Sequence, residues 1–386
     1  MQILQNAGVP CGVRILKPFD SHHHLRTGAI MRTVTEMLAQ RFWAGIIMGN
    51  LEVPVITARH LGQYAREIHE AGKGYFRPYM TLFLTSDLYP DEVLRSNTLH
   101  DFVGVKYMPR GASTKSNLSI ENSALLWTRG TRPHDILQFL ARLQRVLLVH
   151  GAEALDSNGE VLDPWKQEIY FFREVLPRIR DAHPTLKISV EHLSTAIGAE
   201  YMRQNGGPLL GCGITAHHLL LDRRDMFQGG FWPHRFWWPV LGEKEDREAI
   251  RAFVKEGHKF VYLGSDSAPH PIGAKQSGCC SGGVLMAHAG IELYVEAFED
   301  MGALDEPFEA FASINGPRFY GIEPSSEMIT LVKKEWQVRP LLIAGDYGFN
   351  PAEVVPFRLG EKYPGNLSSK STPHPPPIQV GGGFFF

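Results

Sequence analysis

The feature that most constrains this chain is an alternation. Eight short apolar, β-rich runs (residues 14–19, 44–48, 79–84, 102–107, 146–149, 187–190, 209–214 and 260–263) are separated by stretches of helical periodicity. Those stretches cover residues 29–40, 56–71, 133–143, 165–182, 196–205 and 244–256, with 291–301 after the last run; only the crossover at 89–101 is weak. Strands joined by helices imply right-handed βαβ units and a parallel sheet. Eight such units is the number at which the sheet closes into a (β/α)8 TIM barrel, a fold that holds one core at up to about 400 residues. The chain has 386. An open doubly wound sheet is the alternative, but it would want a Gly-rich phosphate turn after the first strand, where Asp20-Ser21-His22-His23-His24 stands instead.

The barrel is expected over residues 12–360. From 361 to 386 the sequence is dense in Pro, Gly and Ser without period and reads as a disordered tail closing on Phe384-Phe385-Phe386. Charge narrows the partners: 39 basic against 41 acidic residues leave −2, no footprint for nucleic acid or anionic lipid. The longest apolar stretches, such as 42–48 and 146–149, fall far short of the roughly 18 residues that span a bilayer, so no membrane segment is expected. Four cysteines make no disulfide framework, and the N-terminal sequence lacks a signal-peptide pattern; a reduced, cytoplasmic protein is expected. Cys279-Cys280 lacks a second pair to complete a zinc knuckle and reads as packing or loop thiols.

The chemistry sits where the runs end, because the strand C-termini of a parallel barrel converge on one rim. His22 and His24, spaced i, i+2, place both imidazoles on one face roughly 6–7 Å apart in extended chain. His23 points the other way and reads as a packed or hydrogen-bonded histidine. Lys106 lies inside the apolar run FVGVKYMP. It is either a lysine snorkelling to water at the barrel mouth or a desolvated amine of lowered pKa, able to take up carbon dioxide as a carbamate that bridges two metals. His150 ends LLVHG and His192 ends SVEHLS; Asp266 follows Gly264-Ser265 where the eighth run ends, as a metal ligand and proton carrier or as a helix N-cap. Together His22, His24, Lys106, His150, His192 and Asp266 form a donor set suited to zinc or a similar divalent ion. Two ions roughly 3.5–4 Å apart would hold a bridging hydroxide and polarise a carbonyl, with Asp266 moving the proton: the machinery of amide hydrolysis.

These residues carry a resemblance. DSHHHLR, Asn50 in MGNL, GVKYMP, LLVHG, VEHLS, LGSDSAPH and SINGPRFYG are similar to the amidohydrolase superfamily, and within it to the single-function bacterial and fungal dihydroorotases, over residues 15 to 357. The resemblance implies reversible cyclisation of N-carbamoyl-L-aspartate to L-dihydroorotate in pyrimidine biosynthesis. It implies two zinc ions per chain, bridged by carbamylated Lys106 and a hydroxide, with His22 and His24 on the more buried ion, His150 and His192 on the other, and Asp266 as the catalytic acid/base. It also implies a clamp of Arg26, Asn50 and His270 on the substrate carboxylate and a mobile lid carrying Ser113 and Thr114. Further substrate contacts fall at His24, His150, Trp238 and Gly282, with Gly283 beside it. A homodimer is expected from the family alone. The chain departs from the pattern at Gly49, where proline is usual and whose glycine is expected to loosen the turn, and at Trp238, where leucine is common. A hydantoinase or dihydropyrimidinase would have no need of the carboxylate clamp, and a non-catalytic scaffold would not keep all six ligands.

Overall fold

The chain enters through β1 (Gln2–Asn6) and β2 (Val9–Leu16), then passes Lys17-Pro18 into β3 (Phe19–His23). Proline has no N–H for a ladder, so the apolar run read as one strand over 14–19 divides there. Its first part pairs antiparallel, Gln2 opposite Arg14 and Met328 opposite Leu16, and the first barrel strand is Phe19–His23. The other seven follow as β4 (Ala44–Ile47), β5 (Arg77–Phe83), β6 (Phe102–Tyr107), β7 (Val146–His150), β8 (Lys187–Glu191), β9 (Leu210–Ile214) and β10 (Val261–Leu263). All neighbours are parallel in the order β10-β9-β8-β7-β6-β5-β4-β3. This computed structural model describes residues 1–6, 9–99, 101–113, 116–343, 352–359 and 362–370.

The crossovers form where the periodicity placed them. In the helix Ala58–Ala71 the buried residues Leu61, Tyr64, Ala65 and Ile68 follow the i, i+3, i+4, i+7 spacing that turns one stripe to the sheet, and Thr57 caps it by accepting from the His60 N–H at 3.1 Å. The weak crossover does contain a helix, Pro90–Ser96, opened by a proline at its first position and by Asp91 and Glu92 in its first turn. The long helical stretch at 165–182 is interrupted by a π turn, Phe171–Val175, just ahead of Pro177; a second π turn, Ala310–Ile314, precedes Pro317. In both places the wider turn accommodates a residue that cannot donate to the carbonyl four back.

Phe19, Ala44, Tyr79, Val103 and Val146, at or near strand beginnings, cluster with Phe319 and Tyr320 from the helix Asn315–Tyr320. Apolar packing thus plugs the N-terminal end of the barrel and leaves the C-terminal end for polar side chains. The barrel is closed mainly by the ends of β3 and β10. Asp20 accepts from the Ser265 N–H (2.9 Å), the Ser265 hydroxyl (2.5 Å) and the His22 N–H (3.2 Å), while Asp266 N–H donates to His22 O (2.9 Å) and His24 N–H to Ser267 O (3.0 Å).

A second sheet, β1-β2 with β11 (Met328–Gln337) and a later strand, was not expected from the sequence. A separate two-stranded antiparallel pair is formed by β12 (Leu341–Ile343) and β13 (Ala352–Val354), and the fourth strand of the second sheet is β14 (Lys362–Lys370). The opening of the segment read as an irregular tail is therefore a strand paired with β11. Residues 371–386, including Phe384-Phe385-Phe386, lie outside the described residues.

Candidate active site

At the C-terminal end of the barrel a cavity enclosing about 510 Å³ of empty space, its open mouth included, is lined by His22, His24, Arg26, Asn50, Lys106, Met108, Ser113, His150, His192, Trp238, Asp266, Ala268, His270, Gly282 and Gly283. Every candidate residue named from the sequence is among them except Thr114, which lies outside the described residues. His23 turns away, as its position in the strand requires: its Nδ1 is 2.9 Å from Asp20 Oδ2 in the barrel wall.

Two groups of donors face each other. His22 Nε2 and His24 Nε2 are 3.1 Å apart, and each lies close to Asp266 Oδ1, at 3.3 and 3.1 Å. His150 Nδ1 and His192 Nε2 are 2.9 Å apart. The remote nitrogens of two of these rings have close polar neighbours. His150 Nε2 lies 3.1 Å from Ala112 O, and His22 Nδ1 lies 2.6 Å from Glu191 Oε2. The Ala112 carbonyl accepts the His150 Nε2–H, so His150 Nδ1 presents its lone pair inward, whereas Glu191 stands at ion-pair distance from His22 without a hydrogen bond to it. Burial, first of all, holds all four imidazoles well below their usual pKa, with the positive charge of Lys106 acting in the same direction.

Lys106 lines the same cavity, 1% exposed, and its Nζ has no hydrogen-bond partner among the described residues. Burial lowers its pKa, against the Glu191 and Asp266 carboxylates that favour the ammonium. It does not snorkel. An orphaned buried amine among converging imidazole lone pairs and a carboxylate fits a divalent-cation centre, because a cation is what such a donor set lacks. His22, His24 and Asp266 alone bring one donor atom each within 4.8 Å of one another.

The strand ends are bent to reach this arrangement. His192 (φ 44°), Asp266 (φ 48°) and Arg26 (φ 65°) all adopt left-handed backbone, which costs a residue other than glycine of order 1 kcal/mol or more and recurs where a site demands it. Burial raises the Asp266 carboxyl above its ordinary value.

Arg26 reaches across the mouth, its Nε donating to Pro269 O (3.0 Å) and its Nη2 to His270 Nε2 (2.9 Å). Burial brings its pKa down to about 10, still charged at neutral pH, and the same burial with the Arg26 charge takes His270 down to about 2. A neutral imidazole and a fixed guanidinium thus stand side by side with Asn50 on the cavity wall. Gly49 does not loosen the turn that carries Asn50. Its N–H donates to Thr81 Oγ1 (3.0 Å), a bond proline could not make, and a Cβ there would meet Thr81 O at 2.5 Å.

Reading the sequence missed Glu191 and Asp20, both fully buried acids behind the histidines. Each carried a signal: an acid immediately after an apolar run, one residue before His192 and two before His22. Glu191 accepts from Ser189 Oγ and Tyr320 OH, so SINGPRFYG supplies a hydroxyl beneath the donor cluster.

No family model matches the chain. It is 40% identical over 352 residues to the dihydroorotase of Aromatoleum aromaticum, covering 90% of this chain and 97% of that protein. The dihydroorotase of Saccharomyces cerevisiae, solved with 5-fluoroorotic acid, superposes with a TM-score of 0.82 at 26% identity, covering 94% of this chain and all of that one (100%). The L-hydantoinase of Arthrobacter aurescens, at 15% identity, TM-score 0.70 and 94% and 85% coverage, shares the fold. With that identity along nearly the full length of both proteins, and a barrel rim of histidines, lysine and aspartate, the chain belongs to the dihydroorotase family of metal-dependent cyclic amide hydrolases.

Proposed function

We propose that this chain interconverts N-carbamoyl-L-aspartate and L-dihydroorotate, using two zinc ions held at the barrel rim. The reading rests above all on one juxtaposition: Arg26, Asn50 and His270 share a cavity with the imidazole, lysine and aspartate cluster. His22 and His24 would hold one ion and His150 and His192 the other, with Lys106 as a carbamate between them and Asp266 completing the first. Bound divalent ions lower the pKa of a coordinated water and polarise an amide carbonyl.

The chain's own groups do the rest. Arg26 offers a planar fork to the substrate carboxylate, Asn50 and His270 flank it, and Ser113 lines the same cavity. In the hydrolytic direction Asp266 takes the proton of the attacking water at its carboxylate and returns it to the ring nitrogen as the C–N bond breaks; cyclisation runs the same transfers in reverse. Burial raises its pKa, the direction that favours proton uptake by this carboxylate. Met108 and Ala268 add apolar wall beside the reacting centre. The working form is taken to be a homodimer, and no helix among the described residues is long and apolar enough to cross a membrane.

The test is zinc content together with hydrolysis of L-dihydroorotate by the wild type and Asp266→Asn. Close to two zinc ions per chain, with turnover reduced roughly 10²–10⁴-fold in a folded Asp266→Asn protein, is the expected result. Hydrolysis of a neutral hydantoin but not of L-dihydroorotate would move the chain to a hydantoinase-type activity.

A further inference from the structure

Lys275 ends the short helix Ile272–Lys275 and is 3% exposed. An ammonium carries three N–H donors, and here each meets a backbone carbonyl: Phe236 O at 2.7 Å, Ser281 O at 2.9 Å and Gly283 O at 2.8 Å. Nothing in the sequence singled this lysine out. Its carbonyl partners are not scattered. Phe236 lies two residues before Trp238, and Ser281 and Gly283 flank Gly282, so both segments run into the cavity wall.

The two segments meet directly under the ammonium. The Gly283 N–H donates to Phe236 O at 3.1 Å, so this carbonyl accepts from both the lysine and the neighbouring segment. Gly283 holds φ 139°, and a Cβ there would stand 2.7 Å from Ala268 O and 3.0 Å from His270 Cδ2, which leaves room only for glycine. The carbonyl between the two that Lys275 holds, Gly282 O, turns the other way and lies 3.1 Å from His270 Nε2. Because a trans peptide keeps its C=O and N–H antiparallel, capping Ser281 O fixes the direction in which the Gly282 N–H is presented. The Lys275 charge also reaches His270, where it adds to that of Arg26 in holding the imidazole neutral.

We propose that Lys275 is a positioning residue for the anionic substrate: it locks the segments that carry Trp238 and Gly282 into one rigid wall and places a positive charge behind it. The proposal rests on the dihydroorotase reading of the cavity. Lys275 touches none of the cluster at the barrel rim, so its removal should weaken binding without altering the proton transfer or the metal.

The experiment compares zinc-loaded wild type with Lys275→Met and Lys275→Gln, the second keeping two N–H donors. Read for each are kcat and KM for L-dihydroorotate, the Kd of 5-fluoroorotic acid by calorimetry, zinc content and thermal midpoint. Expected for Lys275→Met is a rise of about tenfold in both KM and Kd, the worth of one charge-assisted bond, with kcat and zinc content held within about twofold, and a smaller rise for Lys275→Gln. Unchanged KM and Kd in folded variants would overturn the proposal, as would a fall in kcat or zinc content with KM unchanged. Failure of both variants to fold would overturn it too, since the lysine would then serve the fold as a whole. A wild type that neither turns over L-dihydroorotate nor binds the probe fails the underlying reading instead.

Discussion

Replacing Asp20 by alanine should damage the barrel far more than the loss of one surface acid would. The Asp20 carboxylate is fully buried and accepts four donors: Ser265 N–H at 2.9 Å, Ser265 Oγ–H at 2.5 Å, His23 Nδ1–H at 2.9 Å and His22 N–H at 3.2 Å. Two of these have somewhere else to go, because Ser265 Oγ lies 3.2 Å from His23 Nδ1 and 3.3 Å from His22 O. The other two, the N–H groups of His22 and Ser265, are left buried without an acceptor. At about 1–3 kcal/mol for each orphan, the expected cost is about 2–6 kcal/mol, a large share of the roughly 5–15 kcal/mol that holds a protein folded. The staple joins the first and last strands, so the loss should also spread the His22 and Asp266 backbones and lower zinc retention. The assay is urea unfolding of wild type, Asp20→Ala and Ser265→Ala, with ΔΔG taken from the midpoint at unchanged m, and zinc measured after dialysis. Ser265→Ala removes the hydroxyl but leaves the carboxylate, and should cost about 1–2 kcal/mol. A cost for Asp20→Ala below about 1 kcal/mol, or one no larger than that of Ser265→Ala, would refute the argument that the carboxylate closes the barrel.

Two further outcomes follow from buried acids. Glu191→Gln removes the carboxylate that sits 2.6 Å from His22 Nδ1 and should weaken metal retention about 10–100-fold in a chelator competition while the fold persists; unchanged retention would mean the contact does not orient the ring. Glu168 is pushed up to about 7 by burial, despite accepting from the N–H groups and hydroxyls of Ser194 and Thr195. A folded value above the unfolded 4.5 means the native state binds that proton more tightly, so its stabilising contribution is full below about 4.5 and fades as pH rises through about 7. Wild type should therefore exceed Glu168→Gln in stability by more at pH 5 than at pH 8 in urea titrations, and a pH-independent difference would contradict the shift.

The pattern of apolar runs and helical stripes was enough for the barrel, and strand ends were enough to bring His22, His24, Lys106, His150, His192 and Asp266 to one cavity, because both signals are local. A residue at the end of a buried parallel strand has its place assigned by a few neighbours in sequence, and a lysine or histidine there is conspicuous against its own run. Arg26, Asn50 and His270 were legible only through resemblance, since an arginine or asparagine after a strand has no local mark of purpose. What only the tertiary structure decided lies at long separation. Asp20 meets Ser265 across 245 residues, His22 meets Glu191 across the barrel, and the strand Val9–Leu16 takes its partner from Met328–Gln337. Lys275 was invisible for a related reason: its partners are backbone carbonyls, which every residue carries alike. Periodicity tells which face of an element is buried, whereas the pairing of one buried polar group with another depends on how the closed barrel brings distant strand ends and loops together.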